Sequence, residues 1–295
     1  MKKSVYNYYI TEKRHYAHRH TVEWDLAREY SEKGLTPIER MADRFERLCN
    51  EEKAVIIDGE QIVFMRTVAN LPAIFTDEEW AEINKKHHIH ELGFMSNLSP
   101  NYYGAIAAGL LEKRKTADEY GRRAIDNIIG IADKDRDEAK RGARTDIAEV
   151  LKQVPRYPAR NFREALQFFR ILHFALWLEG NYHNTIGRLD KYIYPYLKRD
   201  IENGVLDRNS ALELLEDFFL SFNKDSDLYP GVQQGDNGQS MMLGGIDENG
   251  NSVLDRITFD GEYYYVTFDN VRTPEMSPEQ YGMGVEYYYI PDTGE

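Results

Sequence analysis

The sequence predicts a mainly α-helical fold with small β elements (α+β), and three observations carry that expectation. Long stretches place apolar residues at helical spacing behind capping residues, as in TPIERMADRFERLCN from Thr36 and NFREALQFFRILHFALWLEG from Asn161. Strand signals are confined to one short run, AVIIDGEQIVFM at 54–65, and to the region after Ile257. The helix at 161–180 is apolar around nearly its whole circumference, so other elements have to cover it on every side.

Taken in order, residues 20–50 read as helix, with Trp24, Leu26 and Ala27 in a first piece. In the second piece Thr36 is placed to cap, Pro37 takes the first helical position and Glu39 completes a capping box. Its apolar stripe is Ile38, Met41, Phe45 and Leu48, with Cys49 on or beside it as a small core residue. Asp58-Gly59 between two β-branched runs predicts a hairpin over 54–65. TDEEWAEINKK at 76–86 predicts a short helix with an acidic first turn, and Pro100-Asn101 turns the chain into a helix rich in alanine. Two charged amphipathic helices occupy 116–153, joined near GARTD, and VPRYPAR at 154–160 breaks the pattern as a connector within one domain. In the apolar helix that follows, Asn161 and Glu164 have capping-box spacing. SALELLEDFFLSFNK at 210–224 is a further helix, capped by Asp207 or Asn209. Past Ile257, tyrosine clusters around Asp-Gly and Gly turns read as strands, which separates a tail, 257–295, from a body at 1–256.

Composition narrows function by exclusion. The 295 residues are 42% hydrophobic and 29% charged, a soluble balance with enough chain for a substantial core. Fifty acids against 37 bases give a formal net charge of −13, which opposes nonspecific binding to nucleic acid or to an anionic membrane. The N-terminal stretch lacks the apolar core of a signal peptide, and no window reaches the ~20 apolar residues of a membrane span. Cys49 is the sole cysteine, which rules out an internal disulfide and fits a cytoplasmic location.

No short motif forms a self-contained reaction centre. His87, His88 and His90 could ligate a metal, but no second ligand cluster accompanies them; His15, His18 and His20 read as a solvated face. DENGNS from Asp247 begins like a calcium loop, yet Ser252 stands where that loop needs glycine. The glycine-rich GVQQGDNGQS and GGIDENG match neither phosphate-binding pattern, and GxSxG is absent. The catalytic and metal assignments are therefore both none.

The middle of the chain resembles the glycyl radical enzyme family, the pyruvate formate-lyase-like group. The resemblance rests on Pro158-Ala159 before Phe162-x-x-Ala165-Leu166-Gln167, on Gly187-Arg188-x-Asp190-x-Tyr192-x-Tyr194-Pro195, and on Gly204-x-Leu206 leading into Ala211-Leu212-x-Leu214-Leu215. LGGIDENGN at 243–251, IDGEQIV at 57–63 and NYYGAIAAGLL at 101–111 extend it over about residues 20–255. It implies the N-terminal helical part and first half of a ten-stranded α/β barrel. It also implies a thiyl radical that abstracts hydrogen from a small-molecule substrate, and a glycyl radical installed by a separate S-adenosylmethionine-dependent iron–sulfur activase. On the matching positions GNYHNTIGR lines one end of the substrate cavity. His183, Asn184 and Thr185 are then candidate substrate contacts, with Asn97 as a second-site candidate. These groups suit a neutral or hydroxylated substrate.

The departures from that family are as informative. Members are more than twice as long, no Arg-Val-x-Gly-Tyr segment occurs, and no cysteine follows Cys49, which does not match the thiyl position. The expected function is thus an N-terminal portion of such an enzyme, inactive alone. The alternatives are one subunit of a split enzyme, paired with a chain carrying the missing barrel half, or a non-catalytic binding or assembly protein. In that last reading the tyrosine clusters at 102–103, 263–265 and 287–289 serve a homodimer interface or cover exposed core.

Overall fold

The computed structural model describes residues 3–86, 96–225, 240–242, 257–259 and 264–266. The chain forms two compact units, Met1–Met242 and Leu243–Glu295. In the first unit α1 (Lys3–Tyr6) runs into a π-helical turn and a 3-10 turn. Then follow α2 (Leu26–Glu32), α3 (Pro37–Glu51), α4 (Asp77–Lys86), β1 (Ser96–Leu98), α5 (Tyr102–Ala108) and α6 (Leu110–Thr116). Next come α7 (Glu119–Arg141), α8 (Thr145–Gln153), α9 (Phe162–Leu178), β2 (Tyr182–Asn184), α10 (Leu189–Glu202) and α11 (Arg208–Ser221). The second unit contains the antiparallel pair β3 (Ile257–Phe259) and β4 (Tyr264–Val266), where the sequence predicts strands.

The centre of the first unit is α9, and α3, α5, α7, α8, α10 and α11 all pack on it. Fourteen of its 17 residues are buried, which is what an all-round apolar helix requires. Its first amide donors are satisfied from outside: Asn161 Oδ1 accepts from Glu164 N (2.8 Å), and Asp200 Oδ2 accepts from Phe162 N (2.7 Å). The Glu164 carboxylate reaches past the cap and accepts from Arg160 N, so the predicted capping box closes one residue early. At Thr36 the box forms as expected, with Glu39 accepting from Thr36 N at 2.8 Å. Asp207 rather than Asn209 caps α11.

The predicted hairpin over 54–65 does not form. The turn at Asp58-Gly59 exists, with Gly59 at φ +84°, but its flanks make no ladder with each other. In the first flank Ile57 N donates locally to Glu60 Oε2 (3.1 Å), while the backbone groups of the second flank pair with side chains of other elements. Asp217 Oδ2 accepts from Gln61 N (2.6 Å) and Ile62 N (2.7 Å), and Gln167 Oε1 accepts from Val63 N (2.9 Å). Glu52 accepts from Thr67 N (2.7 Å) and Val68 N (3.1 Å), and Arg170 Nη2 donates to Phe64 O (2.8 Å). Local pattern detects apolar runs of strand type, but buried amides pair with whatever acceptors the fold supplies. Phe64 is held here at φ +86°, an outlier for a bulky side chain, with its ring edge-on to Phe174.

Two further expectations are corrected. His15 is buried, between Tyr9 and Tyr16, instead of lying on a solvated face; only His18 is exposed, and His20 is half-buried against Glu51. Tyr102 and Tyr103 do not form one surface cluster. Tyr102 is core, its hydroxyl against His173 Nδ1 (2.8 Å), while Tyr103 is 61% exposed. The alanine-rich helix is also interrupted at Gly109 (φ +79°), because a Cβ there would lie 2.6 Å from Arg156 O. That close approach lets Leu110 N and Leu111 N donate to Pro155 O and Arg156 O of the 154–160 connector. The three histidines at 87–90 and the glycine-rich and calcium-like loops lie outside the described residues.

Two stability experiments follow from this packing. Replacing Asp217 with Ala strands the buried Ile62 amide and the part-buried Gln61 amide and should cost about 2–3 kcal/mol in urea unfolding, whereas Asp217→Asn keeps an acceptor and should cost less than half of that. Asp135 on α7 is buried, and its Oδ1 has no hydrogen-bond partner among the described residues. Burial, with Glu60 and Glu52 nearby and only partly offset by Lys224, holds its pKa well above the ordinary value. The folded state therefore keeps this proton more tightly than the unfolded one. The resulting penalty is absent below the unfolded carboxyl pKa of about 4 and grows as pH rises. Asp135→Asn should raise the melting temperature at pH 7 and lose that advantage by pH 4.

Candidate functional site

The candidate site begins where α9 ends. Glu179 terminates the helix and Gly180 follows at φ +90°, with Gly180 N donating to Trp177 O (3.1 Å) and Asn181 N to Leu176 O (3.0 Å). This is a Schellman stop, and it needs a glycine at the left-handed position. A carboxylate at a helix C-terminus is electrostatically unfavourable. Arg44 from α3 offsets it, donating to both Glu179 Oε1 (2.9 Å) and Glu179 O (3.2 Å). Burial nevertheless leaves the Glu179 pKa raised, with Arg44 pulling the other way.

From this stop the chain enters β2, which pairs in parallel with β1: Ser96 opposite Tyr182, Leu98 opposite Asn184. That register puts Asn97 and His183 at one level of the ladder. The strand then continues past β2. Thr185 N donates to Leu98 O (2.9 Å), Ile186 N to Ser240 O (2.7 Å), and Met242 N to Gly187 O (3.0 Å). The segment 182–187 thus lies between 96–98 and 240–242, with Gly187 bridged in parallel to Met241. The polar stretch after α9 is therefore the middle line of a small parallel sheet.

The four residues singled out from sequence come together on these two adjoining segments. Asn184 is fully buried; its Nδ2 donates to Asn181 O (2.8 Å), and its Oδ1 has no partner among the described residues. Thr185 is half-buried and already engaged: its hydroxyl donates to Ser240 O (3.1 Å) and accepts from Gly187 N (3.0 Å). Arg188 pairs only loosely with Asp190, at 3.4 Å, and Tyr192 OH donates to Ile186 O (2.8 Å), tying α10 to the strand.

The sequence of this 295-residue chain matches the sequence profile of the pyruvate formate lyase-like family over residues 105–275, more than half its length. The chain belongs to the pyruvate formate lyase-like family of glycyl radical enzymes. The match runs past residue 257, into the segment set apart above as a tail. Among curated relatives, the trans-4-hydroxy-L-proline dehydratase of Clostridioides difficile is 36% identical over 105 residues, 35% of this chain and 13% of that protein. The (2S)-3-sulfopropanediol dehydratase of Klebsiella oxytoca is 26% identical over 165 residues, 54% of this chain and 20% of that protein. The solved protein of 1,2-propanediol dehydration in Roseburia inulinivorans superposes with a TM-score of 0.63 at 20% identity, covering 83% of this chain and 42% of its own. A glycyl radical enzyme from Archaeoglobus fulgidus gives 0.60 at 18%, covering 82% and 44%. At such identities the structural likeness concerns the fold. The chain spans less than half the length of each of these relatives.

Sequence reasoning passed over the polar groups that hold this end of the family fold together. Arg170 and Asp225 form a fully buried ion pair at 2.7 Å. Lys224 and Glu60 form another, also fully buried, with Tyr9 OH donating to Glu60 Oε1 (2.9 Å). His173 receives Trp177 Nε1 at 3.1 Å on Nε2 while Nδ1 faces Tyr102 OH, which fixes its tautomer with the proton on Nδ1. The available signal was polar residues inside an otherwise apolar helix, since each must find a partner when buried. For Thr185, substitution by Val should speed amide hydrogen exchange at Gly187, whereas Thr185→Ser should preserve its protection.

Proposed function

We propose that this chain is an N-terminal portion of a glycyl radical enzyme of the lyase, dehydratase or acyltransferase kind, and that it does not run the radical reaction by itself. In this reading it supplies the helical platform and one wall of the substrate cavity. The observation that carries it is the state of Cys49, the sole cysteine. The thiol lies in the core face of α3, 2% exposed, with burial pushing its pKa up, so no substrate hydrogen can reach the sulfur. A hydrogen-abstracting sulfur and a glycyl radical loop have to come from elsewhere, as does the barrel half that the chain does not contribute.

The same reading gives Asn97, His183, Asn184 and Thr185 the role of facing substrate. Support comes from their convergence on adjacent parallel segments and from the unpartnered acceptor of Asn184, which suits a hydroxyl or amide donor. The relatives' substrates, a hydroxyproline and two diols, agree with a hydroxylated small molecule. Residues 1–256 would form the body of this portion, followed by the tyrosine-rich β segment 257–295, whose first residues fall within the family match that ends at 275, acting in a reducing, oxygen-free cytoplasm.

A split enzyme is the second reading, and one observation favours it. Among the described residues, 96–98 and 240–242 each pair with the central segment on one side only, so a companion polypeptide could add strands to either edge. The deciding experiment is anaerobic incubation of the purified chain with an S-adenosylmethionine-dependent activase and reductant, followed by electron paramagnetic resonance. The expected spectrum lacks a protein-based glycyl doublet. A doublet from this chain alone overturns the proposal, and one that arises only on adding a second polypeptide supports the split form.

A further inference from the structure

Each helix packed around α9 buries side chains of its own, yet none of the ten residues of α4 is buried. Between α4 and α3 lies an open space of about 440 Å³, bordered by Leu35, Pro37, Phe75 and Ile83. The dispersion contacts that would hold two packed helices together are missing there. Trp80 meets Phe75 edge-on, with ring centroids 5.3 Å apart, and remains half-exposed.

Among the described residues, the polar attachment of α4 to other elements runs through one side chain. Glu79 accepts from Arg40 Nη1 (2.7 Å) and Nη2 (2.8 Å), and the Ser31 side chain hydrogen-bonds the same carboxylate. Arg40 is held in place without help from α4: its Nε donates to Leu35 O (2.8 Å) and its Nη1 to Ile74 O (2.9 Å). Glu79 also accepts from Thr76 N (2.9 Å), which closes the capping box at the start of α4. The attachment point is therefore fixed in advance on α3, and what docks on it is a single carboxylate.

Nine residues separate α4 from β1, the strand that carries Asn97. Downstream, β1 leads into α5 and its buried Tyr102, so its upstream anchor is the weaker of the two. While α4 is docked, those nine residues limit how far β1 can part from 182–187. Once it is undocked, the tether reaches back to Thr76 and is about twice as long, which weakens closure about threefold.

We propose that α4 is a latch on the strand site: held through Glu79, it undocks from α3 as a unit while the helices around α9 stay folded, and its release slackens the pairing of β1. Elements with few buried contacts open in this way, well below the free energy of global unfolding. The bearing on Asn97 rests on the function proposed above. The opening of α4 does not, so the two fail separately.

The test is amide hydrogen exchange on the intact 295-residue chain at pH 7, read residue by residue. Amides 81–86 should exchange at least ~100-fold faster than those in the middle of α3 and α9. Glu79→Gln keeps the capping box, loses the ion pair and should speed 81–86 about tenfold. Glu79→Lys opposes Arg40 and should leave α4 undocked; Thr185 N, which donates to Leu98 O, should then exchange about threefold faster, with α9 unchanged. Should Glu79→Lys fail to fold, the double variant Glu79→Gln/Trp80→Ala removes both attachments and takes its place. Exchange of 81–86 at the rate of α3, no acceleration of 81–86 in Glu79→Gln, or equal acceleration of α3 and α9 would each overturn the proposal. So would an unchanged Thr185 amide beside a freed α4.

Discussion

Everything in the first unit depends on the burial of one helix. Because α9 is covered on every side, each polar atom on it must be matched inside the protein, and each neighbour is placed by that need. Gln167 exchanges hydrogen bonds with both backbone groups of Val63, and Arg170 holds Phe64 O and Asp225. His173 links Tyr102 to Trp177. These contacts fix the approach of the 60–68 segment, of α5, and of the chain leaving α11. An apolar replacement of any one of them would leave a partner buried and unmatched, which costs more than the contact itself contributes.

The same requirement explains why 52–68 is neither helix nor hairpin. After the turn at Asp58-Gly59, residues 60–68 run through the interior as an extended strap, and their amides take the side chains of Glu52, Gln167 and Asp217 as acceptors in place of a neighbouring strand. Buried ion pairs such as Lys224–Glu60 add little net stability, since desolvation offsets most of the Coulomb attraction. Their effect is specificity: a strap shifted by one residue would leave both charges uncompensated.

The strand site inherits its position from the end of this helix. Gly180 reverses the chain, Arg44 neutralises the terminal carboxylate, and the next residues enter a parallel ladder between 96–98 and 240–242. Thr185 already serves the ladder with both donor and acceptor, while Asn184 keeps one acceptor unused. Membership of the pyruvate formate lyase-like family gives this small sheet its context. The chain covers 42% and 44% of the two solved relatives.

By itself the sequence determined where α3, α9 and α11 begin, because periodicity and capping residues act within a few residues: Thr36 with Glu39, Asn161 before Phe162, Asp207 before Arg208. It also determined that α9 is central, since an all-round apolar surface admits no other place, and it carried the spacings that marked the family. Tertiary structure alone decided where buried backbone groups find partners and which apolar residues stay outside. Asp217 lies 156 residues from Gln61, and no local pattern encodes that hydrogen bond. Ile38 and Met41 share the stripe of Phe45 and Leu48, yet they face a groove, because burial depends on whether a neighbouring element arrives to cover them.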